Sequence, residues 1–244
     1  MSDRYFSSQP VGGDWATLSG TAAHHLIHVM RARPGQRIEL FDGSGRQWVA
    51  EVRRVARSEV ELALLDEQAI DRELPIEVTL AVALPKGERQ RWLVEKAVEL
   101  GVGRLVPLET AHGVAQPGTA ALQRLRRCVI EASKQCGRNR LMEIAAPQPW
   151  AGLLAATAGV PRRWMAHPRG EGGRGRGEGE TLSSAFRLPP STFASLVLAV
   201  GPEGGFATEE VAAAVQAGWE LVDLGSRILR VETAAIFLIA LAAL

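Results

Sequence analysis

The chain has 244 residues, of which 46% are hydrophobic and 23% charged, and its formal net charge is +1. This composition is typical of a globular protein, and the length suits one large domain or two smaller ones. Neither a signal-like amino terminus nor an apolar run of membrane-spanning length is visible, so we expect a cytoplasmic protein with no membrane partner. Because the net charge is near zero, any nucleic-acid partner must be met by a local basic patch.

The two cysteines, Cys128 and Cys136, lie in one helical pattern. Their spacing suits neither a disulfide framework nor a metal site. We therefore expect reduced thiols and no metal.

Residues 1–72 are predicted to form a small β-rich domain. Apolar residues alternate in "RIELF", "RQWVAEVRRV" and "SEVELALL", as they do in strands with one buried face. Asp42 and Gly43, between the first two runs, are a hairpin signal. A helical stretch, "TAAHHLIHVMRA", precedes these strands, and the whole pattern favours a compact barrel.

Residues 73–244 are predicted to form an α/β domain. Continuous apolar strands ("IEVTLAVAL", "RLVPL", "SLVLAV" and "WELVDLG") alternate with helical periods. This alternation is typical of a parallel sheet that is covered by helices on both faces. In such sheets, ligands bind at the carboxyl ends of the strands.

The segment "VLAVGPEGGFATEE" places a glycine-rich turn at such a strand end, before a helix for which Thr208 is the predicted N-cap. It matches neither nucleotide-binding fingerprint, and Glu203 stands where a phosphate would lie. The glycines permit close approach of the backbone to a ligand. A tight strand-to-helix turn with no ligand is an equal alternative for this loop alone.

A second segment, "LGSRILRVETAA", repeats the arrangement of strand, glycine-containing loop and helix. Two adjacent strand-end loops of this kind could enclose a flat, largely uncharged ligand from two sides. Main-chain groups would then hold the ligand.

At these motifs the sequence resembles a known family. "GPEGGF" and "LGSRILRVETAA", together with "ALPKGERQRWLVEKAVELGV" and "EASKQCGRNRLMEI" upstream, resemble the RsmE family of 16S ribosomal RNA uridine-N3 methyltransferases. This family belongs to the SPOUT (α/β-knot) class. The resemblance begins at "RYF" and "HHLIHVMRARPGQRIELFDGSG" and covers most of the chain.

The resemblance implies a PUA-like β-barrel RNA-binding domain over residues 1–72. It implies a SPOUT methyltransferase domain with a parallel sheet over residues 73–244, whose carboxyl-terminal segment is threaded into a trefoil knot, an exception to the rule that chains are unknotted. It further implies a homodimer that binds S-adenosyl-L-methionine beside the partner subunit. The expected acceptor is a uridine of 16S rRNA, either free or in the 30S subunit.

The cofactor contacts implied by the resemblance lie mainly in the two loops. They are His167, Leu198, Gly201, Glu203, Gly204, Leu224, Gly225, Ile228, Leu229, Glu232 and Thr233. Glu232 could instead simply cap the last helix. A carboxylate in the first loop is compatible with this cofactor, which has a cationic sulfonium and no phosphate.

The catalytic residues are less evident. Uracil N3 carries a proton at neutral pH, so the enzyme must help to remove it or stabilise the resulting anion. Arg138 is the first candidate for this role and Arg230 the second, although either could equally anchor a phosphate.

The RNA contacts are expected from basic residues of both domains, since phosphates fix the register of a bound RNA. They are Arg4, His25, Arg31, Lys86, Arg124, Arg127, Lys134 and Arg140. A solvated helix face is the alternative for the basic helix, and a helix packed on the barrel is the alternative for the histidines.

Two features depart from the family pattern. Ala111 and His112 stand where relatives tend to have Arg-Ser or Arg-Cys, and the loop "RGEGGRGRGEGE" over residues 169–180 is longer than usual. This loop is predicted to be a mobile surface segment, with an RGG-like RNA contact as the alternative. Two other functions stay open: a non-catalytic RNA-binding protein, and a SPOUT methyltransferase acting on another RNA or on a ribose 2′-hydroxyl.

Overall fold

The computed structural model describes residues 3–113, 117–168 and 194–243, so the glycine-rich loop 169–180 lies outside the described residues. The chain divides into two compact units. Met1–Glu73 and Ile130–Leu141 form the first, and Leu74–Val129 and Met142–Leu244 form the second. The predicted domain boundary at residue 72 stays a prediction, and the structure groups a later segment with the first unit.

The first unit contains a five-stranded sheet in the order β1-β3-β4-β5-β2. The strands are β1 (Arg4–Phe6), β2 (Trp15–Ser19), β3 (Arg37–Phe41), β4 (Gln47–Val55) and β5 (Glu59–Gln68). β1 pairs with β3 in parallel and the other pairs are antiparallel. The alternating apolar residues of these strands are buried in one core, and the predicted hairpin joins β3 to β4.

A short helix, α1 (Gly20–His24), continues into a π-helical turn over His25–Val29. At its end, Met30 N donates to His25 O and Ala32 N donates to Leu26 O, both at 3.0 Å. Arg31 has a φ of 53° between these two bonds. An arginine thus occupies the left-handed position at which helices usually end with glycine.

The second unit contains a parallel seven-stranded sheet. Its order is β12-β10-β11-β6-β7-β8, and β9 also pairs with β7. The strands are β6 (Glu77–Val82), β7 (Arg104–Glu109), β8 (Glu143–Ile144), β9 (Gln148–Pro149), β10 (Arg162–Ala166), β11 (Ser195–Val200) and β12 (Glu220–Val222).

Helices cover both faces of this sheet, as the sequence predicts. The helices beyond β6 are α2 (Glu88–Glu99), α3 (Thr119–Cys136), α4 (Trp150–Ala156), α5 (Thr208–Gln216) and α6 (Val231–Ala243), and the last part of α3 belongs to the first unit. Val197 and Ala199 of β11 pack against Trp150, Phe206 and Trp219 on one face. On the other face α6 lies against β6 and β11, and α2 lies against α6.

Two local predictions have a clear outcome. Both cysteines are free, as expected, and burial raises the pKa of the Cys128 thiol to about 11. Thr208 is not the N-cap of α5: that residue is Ala207, whose backbone N–H donates to the Glu210 carboxylate at 2.8 Å. No helix within the described residues is both long and apolar enough to cross a membrane.

Candidate functional site

A cavity of about 280 Å³ lies at the carboxyl ends of three neighbouring parallel strands. Its walls are the segments that follow β10, β11 and β12, together with the start of α6. They comprise residues 166–168, 200–206, 223–225 and 227–229, with Val231 and Ala234. This is the edge at which open α/β sheets bind their ligands.

The first loop, residues 200–206, needs its glycines for steric reasons. A Cβ atom on Gly201 would lie 2.9 Å from Cδ2 of Phe206, which is closer than a side chain can approach. Gly205 has a φ of +71°, and its N–H donates to Pro202 O at 2.8 Å. A tight turn of this kind leaves main-chain groups at the cavity wall.

Glu210 fixes the position of this loop. Its carboxylate accepts hydrogen bonds from Ala207 N and from Ala111 N, both at 2.8 Å. The adjacent His112 Nδ1 lies 3.2 Å from Gly205 O. Of the pair that departs from the family pattern, His112 therefore contacts the first loop directly and Ala111 is bonded to Glu210.

The second loop, residues 223–229, follows β12. Gly225 has a φ of +104°, and its N–H donates to Asp223 Oδ1 at 3.0 Å. Asp223 and Arg227 both line the cavity, and the side chain of Ile228 is fully exposed beside it. Sequence reasoning missed Asp223, although its place at a strand end is the signal that could have identified it.

Arg89 connects the first loop to the start of α6. Its guanidinium lies 3.2 Å from Glu203 Oε1 in the first loop and 3.7 Å from Glu232 Oε2 at the start of α6. Only 9% of the Glu232 side chain is exposed. A buried carboxylate requires a partner, so Arg89 stabilises the charge on Glu232 and holds the first loop close to the start of α6.

His167 is half-buried at the third wall of the cavity. Its backbone N–H donates to Val222 O at 3.0 Å, which joins the ends of β10 and β12. Burial lowers the pKa of its imidazole below the ordinary value, because a charged ring loses hydration there. The ring is therefore neutral at pH 7 and adds no positive charge to the site.

Most of the predicted cofactor residues are brought together here. The cavity is lined by His167, Gly201, Glu203, Gly204, Leu224, Gly225, Ile228 and Leu229. Leu198, Glu232 and Thr233 are not among its lining residues: Leu198 is fully buried within β11, Glu232 faces Arg89, and Thr233 is exposed on α6. The contact of these three residues with the cofactor stays a prediction.

Family models match nearly the whole chain. Residues 72–243 match the RNA methyltransferase domain, and residues 18–65 match the RNA methyltransferase PUA domain. The ribosomal RNA small subunit methyltransferase E of Synechocystis sp. is 32% identical over 218 residues, which cover 89% of this chain and 69% of that protein. The Bacillus subtilis protein of the same name is 28% identical over 225 residues, which cover 91% and 86%.

The chain belongs to the RsmE family. Solved structures agree with this placement. The Neisseria gonorrhoeae ribosomal RNA small subunit methyltransferase E bound to S-adenosylmethionine superposes with a TM-score of 0.83 at 28% identity, covering 98% of this chain and 96% of that one. A Legionella pneumophila protein described as a methyltransferase, in complex with the same cofactor, has a TM-score of 0.86 at 27% identity and covers 99% and 97%. The PUA-like and SPOUT fold classes are thereby confirmed.

The catalytic role of Arg138 stays a prediction, and within the first unit its side chain is engaged by a carboxylate. Arg138 is 3% exposed, and its Nε donates to Glu73 Oε1 at 3.1 Å within the first unit. The pairing with Glu73 gives this buried guanidinium a structural role in the first unit. The second candidate, Arg230, is exposed just before α6 but is not among the residues that line the cavity.

Arg4 is also buried, at 5% exposure, and this corrects its predicted contact with RNA. It donates to Arg138 O at 3.0 Å and to Asn139 Oδ1, and its guanidinium lies 4.2 Å from the centre of the Phe41 ring. Arg4 therefore holds the segment 130–141 within the first unit.

The other predicted RNA contacts have solvent-facing positions. His25, Arg31, Lys86, Arg124, Arg127 and Arg140 are exposed. Lys134 is partly buried, forms an ion pair with Glu131 at 3.0 Å and lies 5.9 Å from the centre of the Tyr5 ring. Their contact with RNA stays a prediction. Over the described ranges, no cluster of three or more His, Cys, Asp or Glu residues is arranged to hold a metal ion.

Proposed function

We propose that this RsmE-family protein transfers a methyl group from S-adenosyl-L-methionine to N3 of one uridine in 16S rRNA, in the cytoplasm. The observation that carries the proposal is the cavity formed by three strand-end loops of the second unit. The curated relatives that carry the small subunit methyltransferase name, and the two cofactor-bound structures, support it.

The residues of the cavity suit this cofactor. Its volume of about 280 Å³ is near the lower end of small-molecule pockets, which begin at about 300 Å³. Main-chain groups of both loops would bond the adenine, Asp223 would accept hydrogen bonds from ribose hydroxyls, and Arg227 would meet the carboxylate of the amino-acid portion. The cofactor supplies an activated methyl carbon on a sulfonium, and the neutral ring of His167 does not repel that cation.

The RNA would be held by the exposed cations of each unit. Arg124 and Arg127 of α3 would contact phosphates, and His25 and Arg31 of the first unit would add further contacts to the same substrate. The target uridine must leave its stack to reach the methyl donor, as bases do in enzymes that modify them.

We also propose a homodimer and the trefoil knot that the family implies. Ile228 is fully exposed on a loop that lines the cavity. Burial of such a side chain contributes about 1.5 to 3 kcal/mol. A partner subunit that covered this loop would therefore stabilise the dimer.

Two measurements test the proposed function. Calorimetric titration with S-adenosyl-L-methionine should give saturable binding. Absence of a heat signal at millimolar ligand would refute the enzyme and favour a non-catalytic RNA-binding protein. Mass spectrometry of 16S rRNA from a deletion strain should show loss of one uridine base methyl group. Loss of a ribose methyl group, or of a methyl group on another RNA, would point to a different SPOUT activity.

A further inference from the structure

A second cavity, of about 230 Å³, lies at the carboxyl end of β6. It is lined by residues 83–86, which follow that strand, by Arg89 and Gly113, and by Pro202 and Glu203. Pro202 and Glu203 also line the first cavity. The two cavities are therefore adjacent and share one short piece of the first loop.

The size and lining of the second cavity suit a single nucleobase. Its volume is below the roughly 300 Å³ at which pockets for drug-sized molecules begin. Ala83, Leu84 and Pro85 provide the apolar part of the lining, against which a flat ring can pack, and polar groups provide the rest.

The charged side chains that line this cavity are Lys86, Arg89 and Glu203. Arg89 is engaged by Glu203 and Glu232, at 3.2 and 3.7 Å. Lys86 is exposed, and within the described part of the chain it forms no ion pair with a carboxylate. Lys86 is therefore the cation that can meet a negative charge entering this cavity.

We propose that the second cavity receives the acceptor uracil and that Lys86 stabilises the anion formed when N3 loses its proton to water. The electron pair of the broken N–H bond stays on N3 and becomes the nucleophile, while the ammonium of Lys86 offsets the charge on the uracil ring. This inference rests on the proposed function. It gives Lys86 the role for which the sequence favours Arg138, and it makes Arg89 a positioning residue.

The first test is Lys86→Ala, assayed on small subunits from cells that lack the enzyme, with saturating S-adenosyl-L-methionine. We expect kcat to fall about 100-fold, as when one charge-stabilising donor is removed from an active site. Cofactor affinity and the melting temperature should not change. The apparent pKa in the pH profile of kcat should rise, because the N3 anion forms only at higher pH without the cation. Lys86→Arg should restore part of the rate.

The second test separates a base contact from a phosphate contact. Small subunits from deletion cells grown with 5-fluorouracil contain a uracil with a more acidic N3. If Lys86 stabilises the anion, the ratio of the Lys86→Ala rate to the wild-type rate should be higher on these subunits than on ordinary ones. If Lys86 anchors a phosphate, the ratio should not be higher. In that case the slope of log affinity for RNA against log salt concentration, measured without cofactor, would be smaller by about one in Lys86→Ala than in the wild type. This result would overturn the proposal.

Arg91→Ala is the matched control, because Arg91 is an exposed cation on α2 that pairs with Glu95 at 2.9 Å and lines neither cavity. Its kcat should equal that of the wild type. If the wild type methylates RNA and Lys86→Ala is equally active, only the assignment of Lys86 is overturned. A wild-type protein that binds no cofactor and methylates no RNA would refute the proposed function, and this inference with it.

Discussion

Arg138 and Glu73 form an ion pair between segments that are distant in the sequence. The side chain of Arg138 is 4% exposed and that of Glu73 is 18% exposed. Nη1 of Arg72, the residue beside Glu73, donates to Gly137 O at 2.8 Å and strengthens the same connection. A charge that is buried in this way stabilises the fold only while its partner is present.

Arg138→Ala should therefore destabilise the protein by about 3 to 5 kcal/mol, since it leaves the Glu73 carboxylate without its partner. Urea unfolding measures this difference. The double variant Arg138→Met/Glu73→Leu should recover much of the loss, because it removes both charges. Methylation per folded molecule at low temperature should stay close to the wild-type rate. A large loss of kcat in fully folded Arg138→Ala would return Arg138 to the catalytic site.

His167 gives the protein a stability that depends on pH. The folded-state pKa of its imidazole lies below the unfolded value of about 6.5, so the unfolded chain binds the proton more readily. Stability is unaffected above about pH 6.5 and should fall as the pH decreases below that value. The melting temperature of the wild type should thus decrease more between pH 7.5 and pH 5.5 than that of His167→Gln. Equal decreases in the two proteins would contradict this prediction.

The end of the π-helical turn contains a strained arginine. Arg31 adopts the left-handed region that glycine occupies at no steric expense, and its side chain is exposed. Strain of this kind persists where the surrounding hydrogen bonds impose it, here those of Met30 and Ala32. A role in RNA binding would explain why an arginine is used at this position.

Arg31→Gly should stabilise the first unit by about 0.5 to 1 kcal/mol and weaken RNA affinity, because it removes the strain and the cation together. Thermal unfolding and RNA titration measure the two effects. Arg33→Gly is the control: this exposed arginine has no positive φ, so its replacement should lower stability. Unchanged RNA affinity in Arg31→Gly would remove Arg31 from the RNA contacts.

The strands and helices with regular apolar periods were predictable from the sequence, and so was the position of the cavity at their carboxyl ends. "SLVLAV" coincides with β11, and the loop that follows it lines the cavity. The short strand β10 has no such period, so its contribution of His167 followed only from the family resemblance. Ion pairs such as Arg89 with Glu203 join helix to loop over a long stretch of sequence, and periodicity carries no information about them.

The exposure of Ile228 predicts the oligomeric state. Ile228→Asp should weaken the proposed homodimer at least tenfold, since each subunit loses an apolar contact worth about 1.5 to 3 kcal/mol. Sedimentation at several protein concentrations measures the change. Val215→Asp is the control, because Val215 is an apolar residue of α5 that is 53% exposed and does not line the cavity. A wild type that is monomeric at all concentrations would refute the dimer.

The first unit should not fold from residues 1–73 alone. That fragment lacks Arg138 and Asn139, so it would leave Arg4 buried without its partners. We expect poorly dispersed amide resonances and no cooperative urea transition. The same fragment joined to residues 130–141 by a flexible linker should recover both. Cooperative unfolding of the fragment 1–73 by itself would show that the later segment is dispensable.

The inclusion of Ile130–Leu141 in the first unit also has a consequence for protein synthesis. A growing polypeptide exposes the strands of this unit early, but their closing segment leaves the ribosome only after much of the next domain has been translated. The amino-terminal unit therefore stays incompletely folded while the strands β6 and β7 emerge. Chaperones that bind nascent chains would meet it during that interval, and slow codons before residue 141 would prolong its exposure.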